Sequence, residues 1–495
     1  MIKNKINKVI LYATLAFTFV GCSEYLSELP DNRTLIDSPD KVSQLITAAY
    51  PDQDYALMAE IMSDNADDKG NVSNVEQLDL QLYQWQDSNL EERGSPVNYW
   101  NSCYEAISQA NQALASIEEL KNKFDLNAQK GEALIARAYA HFMLVNFWAK
   151  HYDANTASTD LGIPYVLEPE TVLFKTYKRN TVQEVYDLIE KDLTKGLSMV
   201  GDNYNSPKFH FTKDAANAFA ARFYLYKGQW DKVIEHADKV VTNPVSEARN
   251  MVAYGNMNLT GIRMLYNSVD EPANLLIIST NSIWARRHRS SRFGLSVDKI
   301  RPQLFTGSSN PFKKNWAYDT YRSNQYTYFT PKYNEYFKYT NESAGIGLPY
   351  LAQTMFDKDE VILNRAEASV MLENYNEALN YLNAYIGNKT ETYDPKTDIL
   401  TESLIQSEYP VIANEYTPAY GLNDKQTSFI KAIAEFKRRQ FYHEGFRWFD
   451  VRRFNLSITH ELDNGSNVVL EKQDLRKQLQ IPLTAQNGGL QQNPR

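Results

Sequence analysis

Apolar residues recur at spacings of three and four along most of this chain, the period of an amphipathic helix. Trp100, Tyr104, Ile107, Ala110 and Leu114 share one helical face. Leu134, Ala138, Phe142 and Val145 mark a second helix, whose Ala-rich middle lets a neighbour approach closely. A third is predicted to open at Asn180 or Thr181, where Glu184 stands three residues after Thr181 as in a capping box. A fourth starts at Thr212. Near the far end, Ile430, Ile433, Ala434, Lys437 and Phe441 keep the helical period until Gly445 interrupts it. Glycine stands where a backbone needs a positive φ or another segment comes close.

Two junctions between predicted helices are alike. Gly228-Gln229-Trp230-Asp231-Lys232-Val233 and Glu373-Asn374-Tyr375-Asn376-Glu377-Ala378 each place an aromatic, then Asn or Asp, in the turn. That is the turn of a tetratricopeptide-type helical hairpin. The copies are degenerate and far apart, so no continuous array is expected.

Elsewhere the helical period lapses. Asp52 to Glu92 is polar and irregular, with the acidic run Asp64-Asn65-Ala66-Asp67-Asp68, then Tyr83 and Trp85. Leu275 to Ser279 reads as a short strand. A basic cluster, Arg286-Arg287-His288-Arg289 with Arg292, follows Trp284. Phe312 to Tyr339 carries aromatics at positions 312, 316, 318, 321, 326, 328, 329, 333, 336, 337 and 339, with no helical spacing. A long loop inside a compact domain is usually functional. Thr392 to Thr427 is a second irregular insert.

Composition narrows the function. The 495 residues are 43% hydrophobic and 23% charged, which is globular rather than disordered. Net charge is −9 with no long basic run, which argues against a nucleic-acid partner. Aromatics stand out, with 33 Tyr, 22 Phe and 7 Trp, an excess that suits recognition surfaces. No zinc-protease helix, nucleophile elbow, phosphate loop or paired-cysteine motif is present. His443-Glu444 is best read as a structural pair at a helix end. No cofactor and no metal site is implied by the spacing.

The first residues read as a targeting segment. Lys3, Lys5 and Lys8 precede an apolar run, Val9 to Val20, too short to span a bilayer. Phe19-Val20-Gly21-Cys22 resembles a bacterial lipobox, which gives a signal peptide over residues 1–21 and a lipid anchor on Cys22. An ordinary signal peptide with an incidental cysteine is the alternative. Cys103 then has no partner and is expected to be a small buried hydrophobe.

Several motifs occur together in a known order. They are the lipobox; Trp100-Asn101-x-x-Tyr104-x-x-Ile107-x-x-Ala110-Asn111; Gly131-Glu132-Ala133-x-x-x-Arg137-Ala138 leading to Leu161-Gly162-Ile163-Pro164; and Arg179-x-Thr181-Val182-x-Glu184-Val185-Tyr186. Arg365-Ala366-Glu367-Ala368, Glu444-Gly445-x-Arg447-x-x-Asp450-x-Arg452-Arg453, and a tail with Ile481-Pro482 and Gln492-Asn493-Pro494 complete the set. The chain resembles the SusD/RagB family of outer-membrane lipoproteins of Bacteroidetes. The resemblance implies an all-α fold on four tetratricopeptide-like hairpins with an irregular, loop-rich binding face. That domain would run over 22–495, a helical-hairpin part at 22–245 and a loop-rich insert with the C-terminal part at 246–495. It also implies a surface-exposed lipoprotein that hands oligosaccharide to a SusC-like TonB-dependent transporter, and not an enzyme. A peptide-binding lid of a RagA-like transporter and a glycan-degrading enzyme are the alternatives.

A sugar needs flat rings against its C–H faces and planar polar groups for its hydroxyls. Tyr83, Trp85, Trp284, Trp316, Tyr318 and Tyr321 are the expected glycan contacts, because they lie in irregular segments beside polar residues. The Arg-rich stretch 434–454 is expected instead to be a buried clamp, its Arg and Asp residues pairing internally to hold the C-terminal segment against the hairpins.

Overall fold

The computed structural model describes residues 36–70, 75–170 and 175–495. The predicted signal segment 1–21 and Cys22 lie outside the described residues. The principal helices are α1 (Pro39–Thr47), α2 (Ala56–Met62), α3 (Gln77–Tyr83), α4 (Pro96–Leu120), α5 (Asn127–Trp148), α6 (Val182–Leu197), α7 (Lys213–Lys227), α8 (Trp230–Ala237), α9 (Trp284–Ser290), α10 (Lys358–Met371), α11 (Tyr375–Gly387), α12 (Asp424–Gln440) and α13 (Phe446–Arg453).

Local chemistry sets the ends of these helices. Ser95 caps α4 ahead of Pro96, a residue suited to a first turn because it lacks an N–H to satisfy. The capping box at α6 forms, with Thr181 and Glu184 each accepting from the other's backbone N–H. Thr212 caps α7, and Gly228 ends it in the left-handed region at φ +72°. The second junction turns the same way, with Glu373 at φ +59° between α10 and α11. Both junctions read from the sequence are therefore helix–turn–helix hairpins.

The helices pack in sequence and across it. α4 lies on α5 and α5 on α6, while α10 sits among α7, α8, α11 and α12. One hydrophobic core runs from Ala49 to Leu490, with Phe147, Trp148, Tyr99, Tyr55 and Phe449 at its aromatic centre. Cys103 is fully buried within it. No helix among the described residues is long and apolar enough to cross a membrane.

Strands are few. β1 (Asp67–Asp68) pairs with β3 (Phe293–Gly294), β4 (Tyr321–Arg322) with β5 (Tyr328–Phe329), and β8 (Ile458–Glu461) with β9 (Asn467–Leu470). A three-stranded antiparallel sheet has the order β2 (Asn274–Thr280), β7 (Ile346–Asp357), β6 (Glu335–Asn341). The strand expected at Leu275–Ser279 is β2, and it is almost wholly buried. β7 runs straight into α10, whose N-cap is Asp357. β6 is the free edge and stands in solvent along most of its length. Part of the 312–339 stretch, expected to be irregular, is thus paired strand. Its pairs are cross-strand, as where Tyr336 stacks on Tyr350 at 5.4 Å, so nothing local announces them.

Candidate functional site

The stretch 434–454 does form a clamp. Between α12 and α13, Gly445 has φ +81°, and a Cβ there would lie 2.9 Å from the Ala59 Cβ and 3.1 Å from a Tyr55 ring carbon. Positive φ and close approach both demand glycine at this position. Arg447 forks onto Asp64, with Nε–Oδ1 at 2.7 Å and Nη2–Oδ2 at 2.8 Å. Arg438 donates to the Asn65 side chain at 2.7 Å. Burial works against an ionised Asp64, but Arg438 and Arg447 outweigh it and hold the carboxyl well below the usual range. Arg453 bonds Glu367 at 2.8 Å and Asp450 at 2.9 Å, and Lys437 reaches Glu367 at 2.8 Å. Against burial, these two cations bring Glu367 down to about 2.

His443 and Glu444 belong to the same clamp. Glu444 accepts from Lys332 at 2.7 Å and from the Tyr266 hydroxyl at 2.8 Å. His443 is buried, and burial keeps its imidazole neutral. Arg452 alone departs from the expected pairing: it donates to the Ala149 carbonyl and meets no carboxylate among the described residues.

Five of the six expected glycan contacts lie inside the protein. Tyr83, Trp85, Trp284, Trp316 and Tyr318 are all buried. Tyr83 is stacked between Phe293 at 4.3 Å and His460 at 4.0 Å, and His460 in turn stacks on Trp85 at 4.2 Å. Each polar tip has a protein partner. Trp85 Nε1 donates to the Met62 carbonyl at 2.9 Å, Trp284 Nε1 to the His443 carbonyl at 2.7 Å, and Trp316 Nε1 to Ser309 Oγ at 3.0 Å. The Tyr318 hydroxyl donates to Gln440 Oε1 at 2.9 Å. These rings fill the space beneath long loops, so their faces are taken by the protein. Tyr321, on β4, is half-buried and keeps an open side.

The acidic run and most of the basic cluster are also internal. Arg292 binds Asp68 at 2.6 Å, Lys299 binds Asp67 at 3.0 Å, and Arg287 binds Asp79 at 3.1 Å. His288 is buried.

Exposed rings gather elsewhere. Among the described residues the exposed aromatics are Phe124, Phe209, Tyr326, Tyr336, Phe337 and Tyr339. The last four, 40–56% exposed, fall within one short stretch of chain on two neighbouring hairpins. Tyr326 is in the turn of β4–β5, where Arg322 lies 6.0 Å from the centre of the half-buried Tyr328 ring. Tyr336, Phe337 and Tyr339 lie on β6. α9 bridges the hairpins: its Arg289 sits 5.7 Å from the Phe329 ring of β5, and its Arg286 binds Glu335 of β6 at 3.0 Å. Exposed rings thus stand on both faces of β6, Tyr336 on one and Phe337 with Tyr339 on the other, and in the β4–β5 turn. The sequence marks this segment as aromatic; its Trp284 and Trp316 are buried anchors, and its exposed rings are Tyr and Phe. Clefts of about 280 and 290 Å³ flank α4, the first lined by Trp100, Tyr104, Asn111 and Tyr177.

Comparison with known proteins places this architecture. It is the fold of the SusD superfamily. A SusD superfamily protein from Bacteroides thetaiotaomicron VPI-5482 superposes with a TM-score of 0.66 at 18% identity, over 92% of this chain and 100% of that one. A protein from Bacteroides vulgatus ATCC 8482 described as a putative sugar binding protein gives 0.65 at 18% identity, over 93% of this chain and 99% of that one. Residues 24–225 match the SusD-like family described as "Starch-binding associating with outer membrane". SusD-like protein P2 of Formosa agariphila is 26% identical over 252 residues, 47% of this chain and 46% of that protein. The chain thus spans about half the length of that curated relative. The chain is similar to SusD-like proteins over its N-terminal part and shares the SusD fold over nearly all of its length.

Proposed function

We propose that this protein captures oligosaccharide on the shelf formed by Tyr321, Tyr326, Tyr328 and Tyr336 with Arg286, Arg289 and Arg322. It then hands the sugar to a SusC-like TonB-dependent transporter, held at the outer-membrane surface by a lipid on Cys22. One observation carries the reading: among the described residues, four of the six exposed aromatics, Tyr326, Tyr336, Phe337 and Tyr339, lie on the two neighbouring hairpins. Rings cover the C–H faces of a pyranose at low entropic cost, and guanidinium donors reach its hydroxyls. The family description, starch-binding and outer-membrane-associated, supports ligand class and location. Binding, with no chemical step, is the role this arrangement serves.

Isothermal titration against a polysaccharide panel and a peptide mixture tests the ligand. Tyr326→Ala and Tyr336→Ala should weaken glycan binding; unchanged affinity in both would move the site elsewhere. Peptide is the second reading, favoured by the free edge of β6, whose backbone groups offer an added strand its hydrogen bonds. Binding to peptides alone would replace the glycan reading with it. Co-purification of a TonB-dependent barrel from outer membranes tests the partner. Loss of membrane fractionation in Cys22→Ser tests the anchor.

A further inference from the structure

Arg452 is the member of the clamp that lacks an acidic partner, and a cleft of about 450 Å³ opens beside it. Lys477 lines the same cleft. Their residues are only 6% and 8% exposed. Arg452 donates to the Ala149 carbonyl, and Lys477 Nζ reaches Asn455 Oδ1 at 3.3 Å. Neither has a carboxylate within 4.0 Å among the described residues.

The acids that line the cleft are engaged elsewhere. Asp160 is bound by Lys150 at 2.6 Å, Asp474 by Arg476 at 2.6 Å, and Asp153 accepts the Asn155 backbone N–H at 2.9 Å. Arg453, also in the lining, is committed to Glu367 and Asp450. Burial pushes Arg452 down to about 10 and Lys477 down to about 8, so both stay largely charged at neutral pH. Two nearly buried cations thus line one cavity with no carboxylate at ion-pair distance from either, among the described residues. Buried charges are otherwise paired, and in this protein Arg447, Arg453, Lys332, Lys389 and Lys437 all are.

We propose that this cleft binds a small oxyanion, which supplies the charge that Arg452 and Lys477 lack. The guanidinium offers a fork to a planar or tetrahedral oxyanion and the ammonium a point charge. Thr417 and Asn455 also lie in the wall. The oxyanion is either a free inorganic anion or the acidic group of a small sugar. This inference stands apart from the aromatic shelf, with which it shares no residue.

Thermal melting and isothermal titration of the full chain separate the possibilities. The probes are sodium sulfate, sodium phosphate and sodium glucuronate, each against sodium chloride at matched ionic strength and, for the sugar, against glucose. An oxyanion should raise the melting temperature by several degrees where chloride and glucose do not. Saturation by sulfate or phosphate identifies a free anion, and by glucuronate alone an acidic sugar. Lys477→Gln should weaken binding at least tenfold, with Lys477→Arg restoring most of it. Arg452→Gln should do the same, and if it fails to fold, the Lys477 variants carry the test. Without added oxyanion, Lys477→Gln should melt no lower than the parent, because it removes a charge that has no partner. Equal shifts in chloride, equal affinity in Lys477→Gln, or a Lys477→Gln chain that melts several degrees lower without anion would overturn the proposal.

Discussion

Residues 434–454 and 284–350 both draw on Arg and aromatic side chains, yet the first is core and much of the second is surface. The difference lies in the carboxylates each stretch finds. The C-terminal clamp meets Asp64 from the N-terminal part of the chain and Glu367 from α10, so Arg447 and Arg453 are neutralised and rings close over them. On the shelf, Arg286 has Glu335, Arg322 donates to the backbone carbonyls of Asn324 and Gln325, and Arg289 to that of Ala285. Among the described residues a single acid, Glu335, meets the three guanidinium groups there. Rings close over the guanidinium groups where several acids converge on them, and stay open to solvent on the β6 edge.

The sharpest way to break this contrast is to remove a charge from the clamp. Arg453→Ala leaves Glu367 with Lys437 alone, and loss of one partner from a buried pair costs about 3–5 kcal/mol. Arg447→Ala and Asp450→Ala should also lower stability. Denaturant unfolding measures the loss, and ligand affinity should be unchanged in whatever protein remains folded. If affinity fell while stability held, the clamp would be a site after all.

The displaced Trp residues sharpen the same point. Trp85→Ala and Trp316→Ala should each cost about 3–5 kcal/mol, the usual effect of emptying a core position, with glycan affinity intact. A stable variant that no longer binds glycan would return these rings to the ligand.

Acid should weaken the clamp. Glu367 sits at about 2 in the folded protein against an ordinary value of 4.5. Its contribution is full above 4.5 and is lost as pH falls toward 2, a change of about 3 kcal/mol. Unfolding free energy followed over that window should fall steeply in the parent and less steeply in Glu367→Gln, which starts lower. Parallel slopes would remove Glu367 from the account.

The smallest stability effect belongs to the shelf. Tyr326→Ala and Tyr336→Ala should stay within about 0.5 kcal/mol of the parent, as exposed substitutions do. Affinity should fall roughly tenfold, a loss of about 1.4 kcal/mol of binding. Lower stability with unchanged affinity would make the shelf a second clamp.

Much of the fold was legible in the residues themselves. The spacing of Trp100 to Leu114 and Leu134 to Val145, the box at Thr181 and Glu184, the turn at Gly228 and the requirement at Gly445 are local facts. A helix closes its hydrogen bonds within four residues, so its pattern and its caps are written where it forms. The clamp was also legible, because an Arg-rich apolar helix end needs acids to be buried.

The split between buried and exposed rings was not. Tyr83 and Trp85 lie in a polar loop, and only the approach of Phe293 and His460 from distant parts of the chain seals them. Tyr336 and Phe337 alternate on an edge strand whose partner, β7, and whose exposure are set by the sheet. Whether an aromatic becomes core or surface depends on what arrives from elsewhere to cover it. The sequence determined the helices, their ends and the closing clamp, since those rest on neighbours along the chain. Only the tertiary structure decided which rings meet solvent and left Arg452 without an acid, since those rest on neighbours in space.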